Sequence, residues 1–324
     1  SGLAQCEGLG VIGSNQTGAQ SRGLHLHSTL IVSTEGLPLG VLAAQCSAPI
    51  AKVKNEPPGA TPVPIEEKKT FAWIEGLRTC SQLAKELPTT RQICVMDREA
   101  DFFELFDEQR QRARVDLLIR AQHDRCTGEA LRLFESARQS PVQGRLNITV
   151  PRQSARAKKS KQKARAPRKQ RCAAVALRYR RVDLPPPLAH KGKAPITLWV
   201  VHVRETAPPE DAKALEWFLL TTREITTVEQ AQECLRWYCL RWRIEDWHRV
   251  LKSGCRVEAL AHRSAERLQR AIAIHRVIAW RIMLMTLLGR ECPGLPADVL
   301  FSDLEIEVLE AYAKKKTASA QTTG

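Results

Sequence analysis

Residues 238–254, YCLRWRIEDWHRVLKSG, space one phenol, three cations and one carboxylate at helical intervals: Tyr238, Arg241, Glu245, Arg249 and Lys252. At roughly 100° per residue these five fall within about 80° of arc. Trp237, Leu240, Ile244, Trp247 and Leu251 take the opposite side, so the stretch reads as an amphipathic helix. The plain explanation is a solvated surface helix carrying an i,i+4 pair, Glu245–Arg249. The chemical one is a phosphate site, because a lone carboxylate ringed by cations suits a place where phosphates arrive beside a divalent metal. Such a metal needs further hard oxygen ligands, and Asp97 is the second candidate. The apolar run ICVM ends abruptly at Asp97, which puts an acid at the carboxyl end of a buried strand, where open α/β sheets hold ligands. The alternative for Asp97 is an N-cap of the helix in READFFELF.

These residues depend on elements that hydrophobic spacing marks out. LHLHSTLIVSTEGLPLGVLAAQ predicts two strands joined by a turn at EGLPLG. FAWIEGLRTCSQLAKEL predicts a helix, RQICVMDREADFFELFDEQRQ a strand running into a helix, and VDLLIRA a buried strand. GRLNITV, CAAVALRYRRV, ITLWVVHVRE and EWFLLTT then form a β-rich block. Two long helices follow, about 227–253 and 264–289, the first opened by a capping box at Thr226 and Glu229 and closed at Gly254. Residues 1–23 show no hydrophobic period, and 50–68, with four prolines, reads as a loop. The order predicts an α/β core with the β block inserted into it.

The chain has 324 residues, enough for about two domains or one core with a large insertion. Its net charge is +15, and the run 152–171 carries ten Lys and Arg with no acid. That imbalance points to a polyanionic partner, nucleic acid before an acidic membrane, although the run also reads as a solvated loop. The ten cysteines are scattered without a C-x-x-C or a zinc-like spacing, which favours reduced, buried thiols. No basic region followed by an apolar segment marks a signal peptide at the N-terminus. AIAIHRVIAWRIMLMTLLG is broken by His275, Arg276 and Arg281, and reads as a buried helix and not a membrane span.

Taken together, Tyr238-x2-Arg241-x3-Glu245-x6-Lys252 and RWRIEDWH resemble the YREK region of bacterial insertion-sequence transposases of the IS-four group, which includes the Tn-five type. VMDREAD resembles that family's second catalytic segment, and the two occur in the family's order with a β-rich block between them. The resemblance covers roughly residues 20–290. It implies a ribonuclease-H-like core, a triad of acids holding two Mg²⁺ or Mn²⁺ ions, and cleavage and strand transfer at transposon-end DNA. Asp97 then resembles the second acid and Glu245 the third, both metal ligands. Tyr238, Arg241 and Lys252 resemble phosphate-gripping residues, and Arg249 another basic DNA contact. Trp217 resembles a tryptophan that stacks on a flipped base, its alternative being a strand core residue. Arg120 resembles a further DNA-contacting arginine.

The domain organisation expected is a first part of the core at 1–121, the β-rich insertion at 122–225 with the basic loop 152–171, helical completion at 226–290, and a tail at 291–324. No aspartate precedes Asp97, so the family's first acid is missing from this reading. The chain is expected to be a truncated member lacking the first core strand, unable alone to cut or join DNA, in a bacterial cytoplasm near the nucleoid. A DNA-binding module without catalysis, able to enter mixed complexes with an intact transposase, is the competing expectation. An RNA-associated protein rests on the basic run alone.

Overall fold

The computed structural model describes residues 6–14, 20–49, 64–112, 114–129, 131–150, 152, 155, 166–167, 169–210 and 213–321. Two hairpins come first. β1 (Gly10–Ser14) pairs antiparallel with β2 (Gln20–Gly23), and β3 (His25–Val32) with β4 (Pro38–Ser47). The β3–β4 turn uses Gly36 at φ +94°, which a side chain rarely adopts. A Cβ there would also lie 2.9 Å from Leu240 and 3.2 Å from Arg243, so glycine lets this turn approach the helix region that carries the ionic face.

α1 (Phe71–Glu86), β5 (Gln92–Met96), α2 (Phe103–Gln111), β6 (Val115–Arg120) and α3 (Leu133–Gln139) follow. Then come β7 (Gly144–Val150), β8 (Arg171–Leu184), β9 (Ile196–Glu205) and β10 (Glu216–Thr221). These six strands make one sheet in the order β5-β6-β10-β9-β8-β7. Only β5 and β6 are parallel; the other pairs are antiparallel. The β-rich block expected as an insertion therefore continues the same sheet: β10 hydrogen-bonds β6 on one side and β9 on the other.

Alternation of side chains sets the layers. Leu117, Ile119, Leu198, Val200, Phe218 and Leu220 face a core shared with α1, α2 and α3. Leu118, Val201, Val203 and Leu219 face the opposite core, closed by α4 (Val228–Leu240). The sheet is thus buried on both faces, which suits its continuous apolar runs. α4 opens with a capping box one residue later than the sequence suggests, at Thr227 and Gln230. Thr226 instead donates its backbone N–H to the Gln230 side chain at 2.7 Å.

The single helix expected over 227–253 is broken. α4 ends at Leu240, residues 241–242 form a turn, and α5 (Arg243–Arg249) runs into one wide turn at Val250–Gly254. The break has a packing reason. The apolar face of α4 lies on the sheet, whereas Trp247 and Leu251 pack against Ala279 and Met283 of α6 (Ala265–Glu291) and the β3–β4 hairpin. One straight helix could not serve both layers. Trp247 is fully buried, and its indole N–H donates to the Arg276 carbonyl at 3.3 Å.

α6 covers the apolar stretch expected to be buried, but only Leu268, Ile272, Ala279 and Met283 are. Ile274, Val277, Ile278 and Ile282 are exposed, because the helix packs along one side only. By length and composition alone α6 could cross a membrane. α7 (Asp303–Gln321) forms where the sequence suggests only a tail, and an Arg281–Glu305 ion pair at 2.8 Å ties it to α6. All ten cysteines are free; burial pushes the Cys234 thiol up to about 12, which suits an inert thiol. The β1–β2 hairpin and α3 were not legible as elements. Most of the proline-rich loop and most of the basic run fall outside the described residues.

Candidate functional site

The parallel pair brings the first two site residues abreast. β5 and β6 are in register at Met96↔Ile119, so the next residues, Asp97 and Arg120, leave the two strands side by side at their carboxyl ends. On β10, Leu219 lies opposite Arg120, and Trp217 sits two residues away on the same face. The alternation that sends Leu118 and Leu219 towards α4 sends Arg120 and Trp217 there too.

What they meet is Tyr238. Sequence periodicity places it on the open ionic stripe, but it is 3% exposed and packed into the α4 side of the sheet. The reason is the helix break, which leaves Tyr238 on the last turn of the helix that covers the strands. The Trp217 and Tyr238 rings meet edge to face at 5.5 Å, a favoured aromatic geometry. The Arg120 guanidinium lies 5.8 Å from the centre of the Trp217 ring. Arg241 lies 5.9 Å from the Tyr238 ring and 5.0 Å from the Trp242 ring, and donates to Glu245 at 3.0 Å. Arg120, Trp217, Tyr238, Arg241 and Glu245 are therefore one continuous chain of contacts across β6, β10, α4, the turn after it and α5.

Its electrostatics are set by burial and by the neighbouring arginines. Burial raises the Tyr238 pKa above the ordinary phenol value, opposed by Arg241 and Arg120, which act on the hydroxyl by charge and as hydrogen-bond donors. Burial lowers the Arg120 pKa, and Arg98 and Arg241 push in the same direction. The Arg98 and Arg241 guanidinium groups thus sit close enough to disfavour the charge on Arg120. Among the described residues the buried Nε of Arg241 meets no hydrogen-bond acceptor, an unmade bond that a buried donor leaves at a cost.

Not every expected residue joins. Arg249 pairs with Asp246 at 2.6 Å and Lys252 with Glu258 at 3.2 Å. Both cations are exposed, and both pairs lie beyond the helix break. The two carboxylates are differently engaged. Asp97 caps only the short turn Arg98–Ala100, accepting from the Glu99 N–H at 2.8 Å, whereas α2 opens later, after Phe102. Glu245 is half exposed and held by Arg241. Both offer the hard oxygen donors that Mg²⁺ or Mn²⁺ takes, but among the described residues no three His, Cys, Asp or Glu side chains are grouped to hold a metal ion. The described residues do not complete a two-metal cradle.

Three residues escaped the sequence reading. Arg98 follows Asp97 and acts on Arg120. Its signal was adjacency to the candidate acid. His27 on β3 is lowered in pKa by burial and by Lys69, against the charge of Asp97 just after β5. His248 on α5 is likewise lowered by burial, with Lys252 and His27 adding to it. The β3–β4 hairpin thus brings His27 near both Asp97 and His248 of α5, a placement that spacing along the chain does not reveal.

A family model described as the transposase DDE domain matches residues 74–282, from within α1 to late in α6.

Proposed function

The chain belongs to the DDE transposase family, and from that premise we propose that the face from Arg120 through Trp217 and Tyr238 to Arg241 and Glu245 grips DNA at transposon ends. The observation that carries this reading is the unbroken set of contacts joining those five residues. The spacing Tyr238-x2-Arg241-x3-Glu245-x6-Lys252 supports the YREK subtype and, with it, the IS-four group.

Each residue has a physical task. A hydroxyl that accepts from two guanidinium groups has its own proton left to donate, so Tyr238 can hold a phosphate oxygen between Arg120 and Arg241. The phosphate also gives Arg241 Nε an acceptor and offsets the repulsion that Arg98 and Arg241 exert on Arg120. Trp217 presents an indole beside this grip, where an unpaired base can stack. Arg249 and Lys252 exchange their present acidic partners for more distant phosphates, contributing charge without registering position.

The family generally uses divalent metal ions. Mg²⁺ or Mn²⁺ would be held by Asp97 and Glu245, and supplies activation of a water or 3′-hydroxyl and stabilisation of the leaving oxygen. Among the described residues no third His, Cys, Asp or Glu side chain is grouped with these two carboxylates. We therefore propose that this chain alone binds DNA without cutting it. The test is to incubate the full chain with supercoiled plasmid and with short duplexes in Mg²⁺ and in Mn²⁺. Retarded but intact DNA supports the proposal; nicked or cut DNA whose production is lost in Glu245→Gln refutes it.

A further inference from the structure

Behind Trp217, on the opposite face of the sheet, lies a polar cluster that the DNA grip does not use. Glu216 and Phe218, the two chain neighbours of Trp217, both point away from α4 and towards α3. Arg138 on α3 holds Glu216 with two parallel hydrogen bonds, Nε to Oε1 at 3.0 Å and Nη2 to Oε2 at 2.9 Å. His202 on β9, 1% exposed, shares Oε1 through Nε2 at 3.0 Å. Phe218 stacks with Phe134 at 4.2 Å and with His202 at 4.6 Å, and the Arg138 guanidinium lies 5.2 Å from its ring centre. β9 and β10 are in register at His202↔Phe218, so the histidine stack reinforces a directly opposed pair.

The cluster settles into one protonation pattern. Glu216 is held down to about 2, chiefly by the Arg138 hydrogen bonds, and is an anion at neutral pH. His202 is lowered by burial, and its buried Nδ1 has no partner among the described residues. With Nε2–H donated to Glu216, Nδ1 is a bare nitrogen, and protonating it would create a buried N–H with no acceptor. A bidentate arginine–carboxylate pair fixes direction as well as distance. It acts at the first residue of β10, where a strand would otherwise fray. Leu215, just before it, is fastened as well, its N–H donating to Glu205 at 3.0 Å while Glu205 pairs with Arg171. Trp217 is thus the second residue of a strand whose start is clamped from behind.

We propose that Arg138, Glu216 and His202 are positioning residues that preset the Trp217 indole, and so set the chain's preference for DNA carrying an unpaired base over fully paired DNA. This rests on the reading that Trp217 stacks on such a base. Stacking requires the indole plane to be aligned before the base arrives. A strand start free to shift would spend part of the stacking energy on ordering itself. A role in folding alone would change stability and leave the preference untouched.

The experiment measures dissociation constants of the full chain for two duplexes, identical except that one carries a single unpaired 2-aminopurine whose fluorescence reports stacking. Wild type, Trp217→Ala, Arg138→Gln, Glu216→Gln and the double variant Arg138→Gln/Trp217→Ala are compared. Wild type is expected to prefer the unpaired-base duplex by on the order of tenfold, within the range of base–aromatic stacking. Trp217→Ala abolishes the preference. Arg138→Gln and Glu216→Gln remove most of it, with less than twofold change on the paired duplex, and the double variant loses no more than Trp217→Ala. If the preference survives in both clamp variants while Trp217→Ala abolishes it, the positioning role is overturned and stacking stands. If the clamp variants weaken both duplexes equally, they act on the fold and the proposal is again overturned. If Trp217→Ala changes nothing, the stacking reading itself fails and takes the proposal with it. Should Arg138→Gln not fold, Glu216→Gln, nearly isosteric, carries the comparison.

Discussion

Tyr238→Phe separates geometry from charge in the proposed grip. The ring is 3% exposed and packed among Leu118, Leu219 and Leu235, so removing one oxygen keeps nearly all of its apolar burial and its edge-to-face contact with Trp217. What disappears is the hydroxyl that faces both Arg120 and Arg241 and the proton it offers a phosphate. A hydrogen bond to a charged group contributes roughly 1.5–3 kcal/mol, so DNA affinity should fall by about tenfold to a hundredfold. No charge is removed, so the slope of log K against log[salt] should stay as in wild type. Arg241→Gln and Arg120→Gln should also weaken binding, but each should lower the slope by about 0.9, the value for one phosphate neutralised on duplex DNA. Fluorescence anisotropy at four or five salt concentrations measures affinity and slope together. Tyr238→Phe with unchanged affinity would refute the grip, and so would a Tyr238→Phe slope that drops by a full unit.

Other consequences concern the scaffold. Trp247→Ala should cost about 3–5 kcal/mol in chemical denaturation, as for other fully buried large aromatics, because Trp247 joins α5 to α6 and the β3–β4 hairpin. Asp97→Asn should leave the thermal transition nearly unchanged, since asparagine caps as well as aspartate, whereas Asp97→Ala should cost about 1 kcal/mol. Glu216, held down to about 2 in the folded chain from 4.5, contributes stability that is full above about pH 4.5 and lost as pH falls towards 2. Melting curves across that window should therefore show a steeper acid loss in wild type than in Glu216→Gln.

Strands and helices with a clean period were legible: the β3–β4 hairpin, α1, and the six-strand series each stand where their apolar runs fall. The carboxyl-end position of Asp97 was legible for the same reason. Tyr238 was misplaced because a 3.6-residue period assumes an unbroken helix, and the break at 241–242 is imposed by packing against two layers. The extent of the sheet was also hidden. Only the pairing of β10 with both β6 and β9 shows that the presumed insertion extends the core. Arg249 and Lys252 share a face with Arg241 on a wheel, yet they find local acids at Asp246 and Glu258. The Arg138–Glu216–His202 cluster joins positions 64 and more residues apart in part, and no spacing signals it.

The central claim is that DNA lies on the Arg120–Trp217–Tyr238–Arg241 face and is not merely attracted to the basic run 152–171. Hydrogen–deuterium exchange of the full chain with and without duplex DNA tests this most directly. The account predicts slowed exchange over β10, the end of α4 and α5, residues 216–249, together with the end of β6. Protection confined to the neighbourhood of 152–171, with α4, α5 and β10 unchanged, would contradict it.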